Sequence, residues 1–187
     1  MTGRGIGSQI VNQVFNLGGK FPILMYFTEM LDPIDRKLLD LLQGDSSLSL
    51  EELGERAGLS RNACWRRIKT LEDAGVIRAR VTLLDADKLN VGLTVFISVR
   101  TNQHDTDWLA RFEAAVAELP EIIGAYRTTG DVDYLLHAVL PDVKAYDRLY
   151  KALIARVPLF DVSSFFVMDR VKETTRLPLG YALTTKP

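Results

Sequence analysis

The sequence predicts an α+β fold in two parts. Two observations carry this expectation: residues 31–82 hold three short helical stripes separated by capping residues, and residues 93–180 alternate as β-α-β-β-α-β. A chain of 187 residues has room for one large domain or two small ones, and the change of rhythm across residues 83–92 marks these as a linker between two.

The first helix begins at Asp32-Pro33, an N-cap followed by proline in the first turn, with Asp35 also at the positive end. Ile34, Leu38, Leu41 and Leu42 recur at helical spacing, and the helix ends near Gln43-Gly44. Ser49 with Glu52 three residues on is a capping box, and Leu50, Leu53 and Ala57 form a stripe that Gly58 stops. Ser60 caps a third helix in which Cys64, Ile68, Leu71 and Gly75 are expected on one face, toward the other two helices, with Gly75 closing it. Val76 to Leu84, where Arg78 and Arg80 alternate with Ile77, Ala79 and Val81, reads as a strand leaving the helical unit. The three helices are expected to form a helix-turn-helix domain of the winged type.

The second part opens with a strand over 93–99, followed by a helix whose stripe is Trp108, Phe112, Ala115, Val116 and Leu119 and which stops before Pro120. Strands at 122–127 and 134–140 flank the turn-rich Thr129-Gly130-Asp131. Val143, Tyr146, Leu149, Tyr150, Leu153 and Val157 mark a second helix closed by Pro158, and 162–171 is the last strand. This order is the ferredoxin-like arrangement, two helices covering one face of a four-stranded antiparallel sheet. Its other face would leave a broad apolar patch in water, so self-association is expected.

The two ends differ from the rest. Residues 1–30 carry only Arg4, Lys20 and Glu29 as charges and five glycines, and are expected to be a poorly ordered extension, with Met30 as a second candidate start. A signal peptide does not fit, because Arg4 lies far from the apolar run 21–27 and no small-residue cleavage pattern follows it. Residues 181–187 read as a C-terminal tail.

Composition narrows the function. With 47% hydrophobic and 25% charged residues the chain is of ordinary soluble type, and no apolar run reaches the roughly 20 residues that would cross a bilayer. One Cys and two His exclude a disulfide framework and a zinc site of the usual ligand count, so reducing cytoplasm is the expected compartment and no cofactor or metal is expected. A net charge of -1 excludes coating of nucleic acid by bulk charge, so any such surface must be local.

The third helix supplies that surface. Between Ser60 and Arg80 there are six basic residues (Arg61, Arg66, Arg67, Lys69, Arg78, Arg80) against Glu72 and Asp73, while the whole chain is close to neutral. With Cys64, Ile68 and Leu71 inward, the exposed N-terminal end presents Arg61, Asn62, Trp65, Arg66 and Lys69. Arg can bond guanine O6 and N7 together, Asn can bond adenine N6 and N7, and Lys meets phosphate as a point charge. Ser60, Arg61, Asn62, Trp65, Arg66, Lys69, Arg78 and Arg80 are therefore the candidate DNA-binding residues, with Arg61, Asn62 and Arg66 reading bases and Lys69, Arg78 and Arg80 on phosphates. The bland alternative is a solvated basic face. Trp65 sits either against DNA or folded over a neighbouring helix, and Cys64 is a small core hydrophobe, with a redox switch as the minor alternative.

In the second part, Thr128 to Tyr134 gathers small polar, flexible and acidic residues at one turn. Carboxylates beside free backbone N–H groups can receive a zwitterion, although glycine and aspartate also make turns with no ligand. His104 and His137 have no metal-ligand partners at useful spacing, and no catalytic triad or phosphate-cradling loop can be assembled, so an enzyme is not expected. No strand has the basic-Gly-aromatic run of an RNA-stacking sheet.

Several spaced motifs now align: Leu31-Asp32 through Leu38-Leu39, Leu59-Ser60, Arg67-Ile68, Leu71-Glu72, Gly75-Val76-Ile77, Gly130-Asp131-Val132-Asp133-Tyr134, Ser163-Ser164-Phe165, Thr174-Thr175 and Leu177-Pro178-Leu179. In this order they resemble the Lrp/AsnC family (leucine-responsive and asparagine regulators) of prokaryotic transcription factors, over residues 31 to about 180. The resemblance implies double-stranded DNA and a small amino acid effector as partners, and homodimers through the sheets that assemble to octamers. It also places the effector near the 130–134 turn. Position by position, Gly130, Asp131, Asp133 and Tyr134 match the turn motif, and Ser163 and Ser164 the late-strand motif close to it. Ala63-Cys64-Trp65 with Arg66, and Leu177 to Leu179, resemble a branch that includes regulators of cysteine detoxification, which makes a sulfur amino acid one candidate effector. The 29 residues before Met30 depart from the family pattern. The rival reading is an architectural DNA-wrapping protein whose second module only oligomerises.

Overall fold

The computed structural model describes residues 31–103 and 105–182, so the expected extension 1–30, His104 and the end of the tail lie outside the described residues. The chain divides into two compact units: a helical unit that runs to Arg80 and resumes at Thr175, and a sheet unit over Val81–Thr174.

Local capping fixes the three helices α1 (Pro33–Gly44), α2 (Leu50–Ala57) and α3 (Arg61–Asp73). On α1 the Asp35 N–H donates to the Asp32 carboxylate at 2.7 Å, and the Asp32 N–H donates back to Asp35 at 3.4 Å, a reciprocal box made from two aspartates. On α2 the Ser49 N–H donates to Glu52 at 2.8 Å and the Glu52 N–H to the Ser49 hydroxyl at 3.2 Å. Leu38, Leu53, Ala57, Cys64 and Ile68 form the core where the helices meet. Gly75 does not face that core: it lies exposed beyond the end of α3 at φ 72°, in the left-handed region where a side chain would be strained. Burial pushes the Cys64 thiol up, so it is an inert core group.

The returning segment packs on α1. Arg176 pairs with Asp40 at 2.7 Å. The Gln43 amide takes both backbone groups of Leu177, accepting from its N–H at 2.9 Å and donating to its carbonyl at 3.1 Å. Residues 175–182 thus lie with the helices, whereas the sequence placed the sheet unit's end at residue 180 and began a tail at 181. These side-chain contacts span 134 or more residues of sequence and leave no local pattern to read.

In the sheet unit, β1 (Leu93–Arg100), β2 (Ile122–Arg127), β3 (Tyr134–Leu140) and β4 (Asp161–Phe166) form one antiparallel sheet in the order β2-β3-β1-β4. Helices α4 (Thr106–Glu118) and α5 (Val143–Arg156) complete the βαββαβ order. Val95, Ile97, Val99, Leu136, Ala138 and Leu140 meet Trp108, Phe112, Ala115, Leu149 and Leu153 in the core. Trp108 is wholly buried and donates its indole N–H to the Pro158 carbonyl at 2.8 Å, which satisfies its one polar atom.

Three further expectations differ from the structure. The strand at 76–84 is absent: the chain there has no regular structure, and Val81, Leu83 and Leu84 are exposed. β-branched content favours a strand only where a neighbouring strand receives it, and none of the described strands lies beside this segment. The last strand ends at Phe166 and not Val171, because Phe166 already pairs with Val95 and only two residues of β1 remain beyond. Val143 is mostly exposed and leaves the α5 stripe, whose buried members are Ala145, Leu149 and Leu153, with Val157 at the C-cap. No helix among the described residues is long and apolar enough to cross a membrane.

Candidate nucleic-acid and effector sites

The turn before α3 depends on a glycine that helix patterning alone overlooks. A Cβ at Gly54 would stand 2.7 Å from the Leu59 carbonyl oxygen, so glycine alone lets the backbone fold back, with the Leu59 N–H donating to the Gly54 carbonyl at 2.8 Å. The signal was available: a glycine inside a short helix is costly and asks for a packing reason. Gly58 takes the left-handed conformation at φ 75°, and Ser60 caps α3 by accepting from the Ala63 N–H at 3.3 Å.

Cys64, Ile68 and Leu71 anchor α3 inward. Arg61, Asn62, Trp65, Arg66 and Lys69 are all exposed on the opposite side, and Trp65 keeps 54% of its surface in solvent. The cations differ in what holds them. Arg61 pairs with Glu51 at 2.9 Å, Lys69 with Asp73 at 2.6 Å, and Arg80 with Glu72 at 2.9 Å. The Asp73 carboxylate raises the Lys69 pKa, first through its hydrogen bond and then through its charge. Arg66 and Arg78 carry no side-chain partner among the described residues.

Arg67 does something else. It reaches back to α1 and bonds both Asp32, at 2.6 Å, and Asp35, at 2.8 Å, tying the middle of α3 to the N-terminal box of α1. Sequence reasoning counted it as one more surface charge, and a contact 35 residues away offers no periodic signal. α3 therefore presents a short, capped, basic end with its rotation fixed by the core on one side and this clamp on another.

In the sheet unit, the 128–133 turn joins β2 to β3. Gly130 has φ 114° with open space around it, and Asp131 is exposed with no partner among the described residues. Asp133 is engaged: its carboxylate accepts from the Thr101 N–H at 2.8 Å and its own N–H donates to the Val99 carbonyl at 3.0 Å, locking the start of β3 to the end of β1. Tyr134 lies half-buried on the helix face, its ring 4.6 Å from Phe112 and 5.8 Å from Trp108, and burial pushes its phenol up. The Asp131 carboxylate and the Gly130 backbone are the open groups of this turn.

Ser163 and Ser164 are not adjacent to that turn, because β1 runs between β4 and β3. Neighbours in a strand point to opposite faces. Ser164, opposite Ile97, faces the helices and shares a short hydrogen bond with the Tyr146 hydroxyl, while Ser163 is exposed and its carbonyl accepts from Ser98 at 3.3 Å. The outer face of the sheet carries Phe96 stacked on His137 at 4.8 Å, with Phe165 and Tyr126 exposed beside them. Burial lowers the His137 pKa, with Arg170 adding to this and Glu173 opposing it.

Comparison with known proteins agrees with both units. Residues 31–78 match the family described as winged helix-turn-helix DNA-binding, and residues 94–177 match the Lrp/AsnC ligand binding domain. The chain is 52% identical over 149 residues to a glutamate uptake regulatory protein of Zymomonas mobilis, covering 80% of this chain and 91% of that protein. It is 47% identical over 151 residues to the DNA-binding transcriptional activator DecR of Escherichia coli, covering 80% of this chain and 99% of that protein. A crystal structure of a Neisseria meningitidis transcriptional regulator in complex with L-Met superposes with a TM-score of 0.78 at 38% identity, over 81% of this chain and 99% of that one. With its basic helix-turn-helix and its βαββαβ sheet unit, this chain belongs to the Lrp/AsnC family of DNA-binding transcriptional regulators and is not an enzyme.

Proposed function

We propose that the chain is a cytoplasmic, amino-acid-responsive regulator whose α3 enters the major groove N-terminus first. Arg61, Asn62 and Arg66 read base edges, Trp65 lies against the duplex, and Ser60, Lys69, Arg78 and Arg80 meet phosphates. The observation that carries this is the exposed end of α3, where Arg61, Asn62, Trp65 and Arg66 stand out from a helix anchored by Cys64, Ile68 and Leu71. A homodimer formed through the Phe96, His137 and Phe165 face would present two such helices about 34 Å apart or a multiple of it, and further assembly would reach octamers. The effector is a small amino acid received at residues 130–134, with Asp131 for its ammonium group. A sulfur amino acid is the first candidate, since a structural neighbour holds L-Met.

Affinity for a duplex selected by the protein and for its scrambled version, measured across salt, tests the base-reading claim. Discrimination that persists as salt rises supports it, and equal affinities with equal salt slopes overturn it. A thermal-shift screen of the twenty amino acids tests the sensor: an effector at 100 times its Kd adds about 2.7 kcal/mol to the folded state, and a purely architectural protein shows no shift.

A further inference from the structure

Arg61 occupies the first helical position of α3, and Glu51 the first turn of α2. Their ion pair is made at the guanidinium Nε, 2.9 Å from Glu51 Oε1, with side-chain exposures of 66% and 60%. A pair this open adds little to folding. Its geometry matters more. The contact is an ion pair and not a hydrogen bond, and no hydrogen bond engages either terminal nitrogen of Arg61 among the described residues; those two nitrogens are the fork that bonds guanine O6 and N7 together. Lys69 is held differently, hydrogen-bonded to Asp73 through the one nitrogen with which it would meet DNA. It shares that nitrogen with a carboxylate, whereas Arg61 can keep Glu51 beside it and still present its fork.

We propose that Glu51 is a specificity-determining positioning residue: its carboxylate beside Nε biases Arg61 toward presenting its two terminal nitrogens to a guanine edge, and its charge disfavours complexes in which Arg61 meets only phosphate. This rests on the reading of α3 as the DNA-reading helix. A long side chain already ordered loses less rotamer freedom when it meets its base. A carboxylate at the duplex surface is tolerated where a base contact compensates and costs affinity where none does, so it sharpens choice by penalising the wrong partner.

The test uses the full chain, a duplex recovered from a random pool by the unaltered protein, and a scrambled duplex. Glu51→Gln should lower the selected-to-scrambled affinity ratio about two- to fivefold. It should also steepen the salt slope on scrambled DNA by about 0.9, and a repeated selection should lose preference at a G·C pair. Glu55→Gln, the same charge change on an exposed residue of α2, should move both affinities equally and leave the ratio unchanged. Combined with Arg61→Ala, Glu51→Gln should have no further effect on the ratio. Glu51→Asp keeps the charge but withdraws the carboxylate, so it should lose ratio without the steeper slope, and it serves if Glu51→Gln fails to fold. An unchanged ratio in both Glu51 variants overturns the inference, as does an equal loss in Glu55→Gln or a full loss in the Arg61→Ala background. If the unaltered protein itself does not discriminate between the duplexes, the reading of α3 fails and takes this inference with it. Discrimination in the unaltered protein with no effect of Glu51 overturns the inference alone.

Discussion

The sheet unit closes its core with large side chains: Trp108 and Phe112 stack at 5.1 Å beneath the central strands, whose Val95, Ile97, Val99, Leu136, Ala138 and Leu140 are almost wholly buried. The helical unit has a smaller core, centred on Leu38, Leu53, Cys64 and Ile68, and it adds polar devices: two reciprocal capping boxes and the Arg67 clamp on Asp32 and Asp35. Apolar burial is non-directional, whereas capping and charge-assisted bonds fix angles. A helix-turn-helix whose third helix is held at a set rotation benefits from the second kind, and a unit that holds a sheet together is served by the first.

The largest effect should come from breaking the apolar side of this contrast. Trp108→Ala should destabilise the sheet unit by about 3–5 kcal/mol, visible as an earlier urea transition by circular dichroism, while hydrogen exchange in α1 and α3 stays unchanged. Loss of protection in α3 as well would show that the two units do not unfold separately.

Arg67→Ala tests the polar side. It should cost the helical unit about 1–2 kcal/mol after allowance for solvent screening, raising exchange in α1 and α3 and leaving the sheet transition in place. The same contact sets a smaller, pH-dependent effect. Burial pulls the Asp32 carboxyl upward, but the Asp35 N–H and the Arg67 guanidinium outweigh it and hold the group below its ordinary value. A carboxylate lowered in the folded state stabilises above its unfolded pKa and loses that contribution as pH falls through the carboxylate range. Titration from pH 6 to pH 3 should therefore weaken the helical unit by a fraction of a kcal/mol from this group. Asp32→Asn keeps a capping side chain and should flatten that part of the titration. An undiminished acid sensitivity would assign it elsewhere.

What the sequence shows of this molecule is what is local. Caps at Asp32, Ser49 and Ser60, the stop at Gly58 and the apolar stripes are written within a few residues of where they act, and the helices and four strands follow from them. Arg67 with Asp32, Trp108 with Pro158 and Gln43 with Leu177 are decided by tertiary packing across 35, 50 and 134 residues. The segment 76–84 failed for the complementary reason, since its β-branched residues state a preference that only a neighbouring strand could satisfy. At the 128–133 turn, Gly130 and Asp131 were legible as turn chemistry, but the engagement of Asp133 by Thr101 was not. The opposite facing of Ser163 and Ser164 could have been read, because it follows from the two-residue period of any strand.

The return of the chain at Thr175 has a mechanical consequence. With segment 175–182 held on α1 by Asp40 and Gln43, the sheet unit is inserted in the helical one like a bead on a closed loop, with two covalent leads where a simple tandem has one. Both ends of the sheet unit are thus covalently joined to the helical one. A cut after Arg170 would leave a single covalent lead, with segment 175–182 kept on α1 by its side-chain contacts alone.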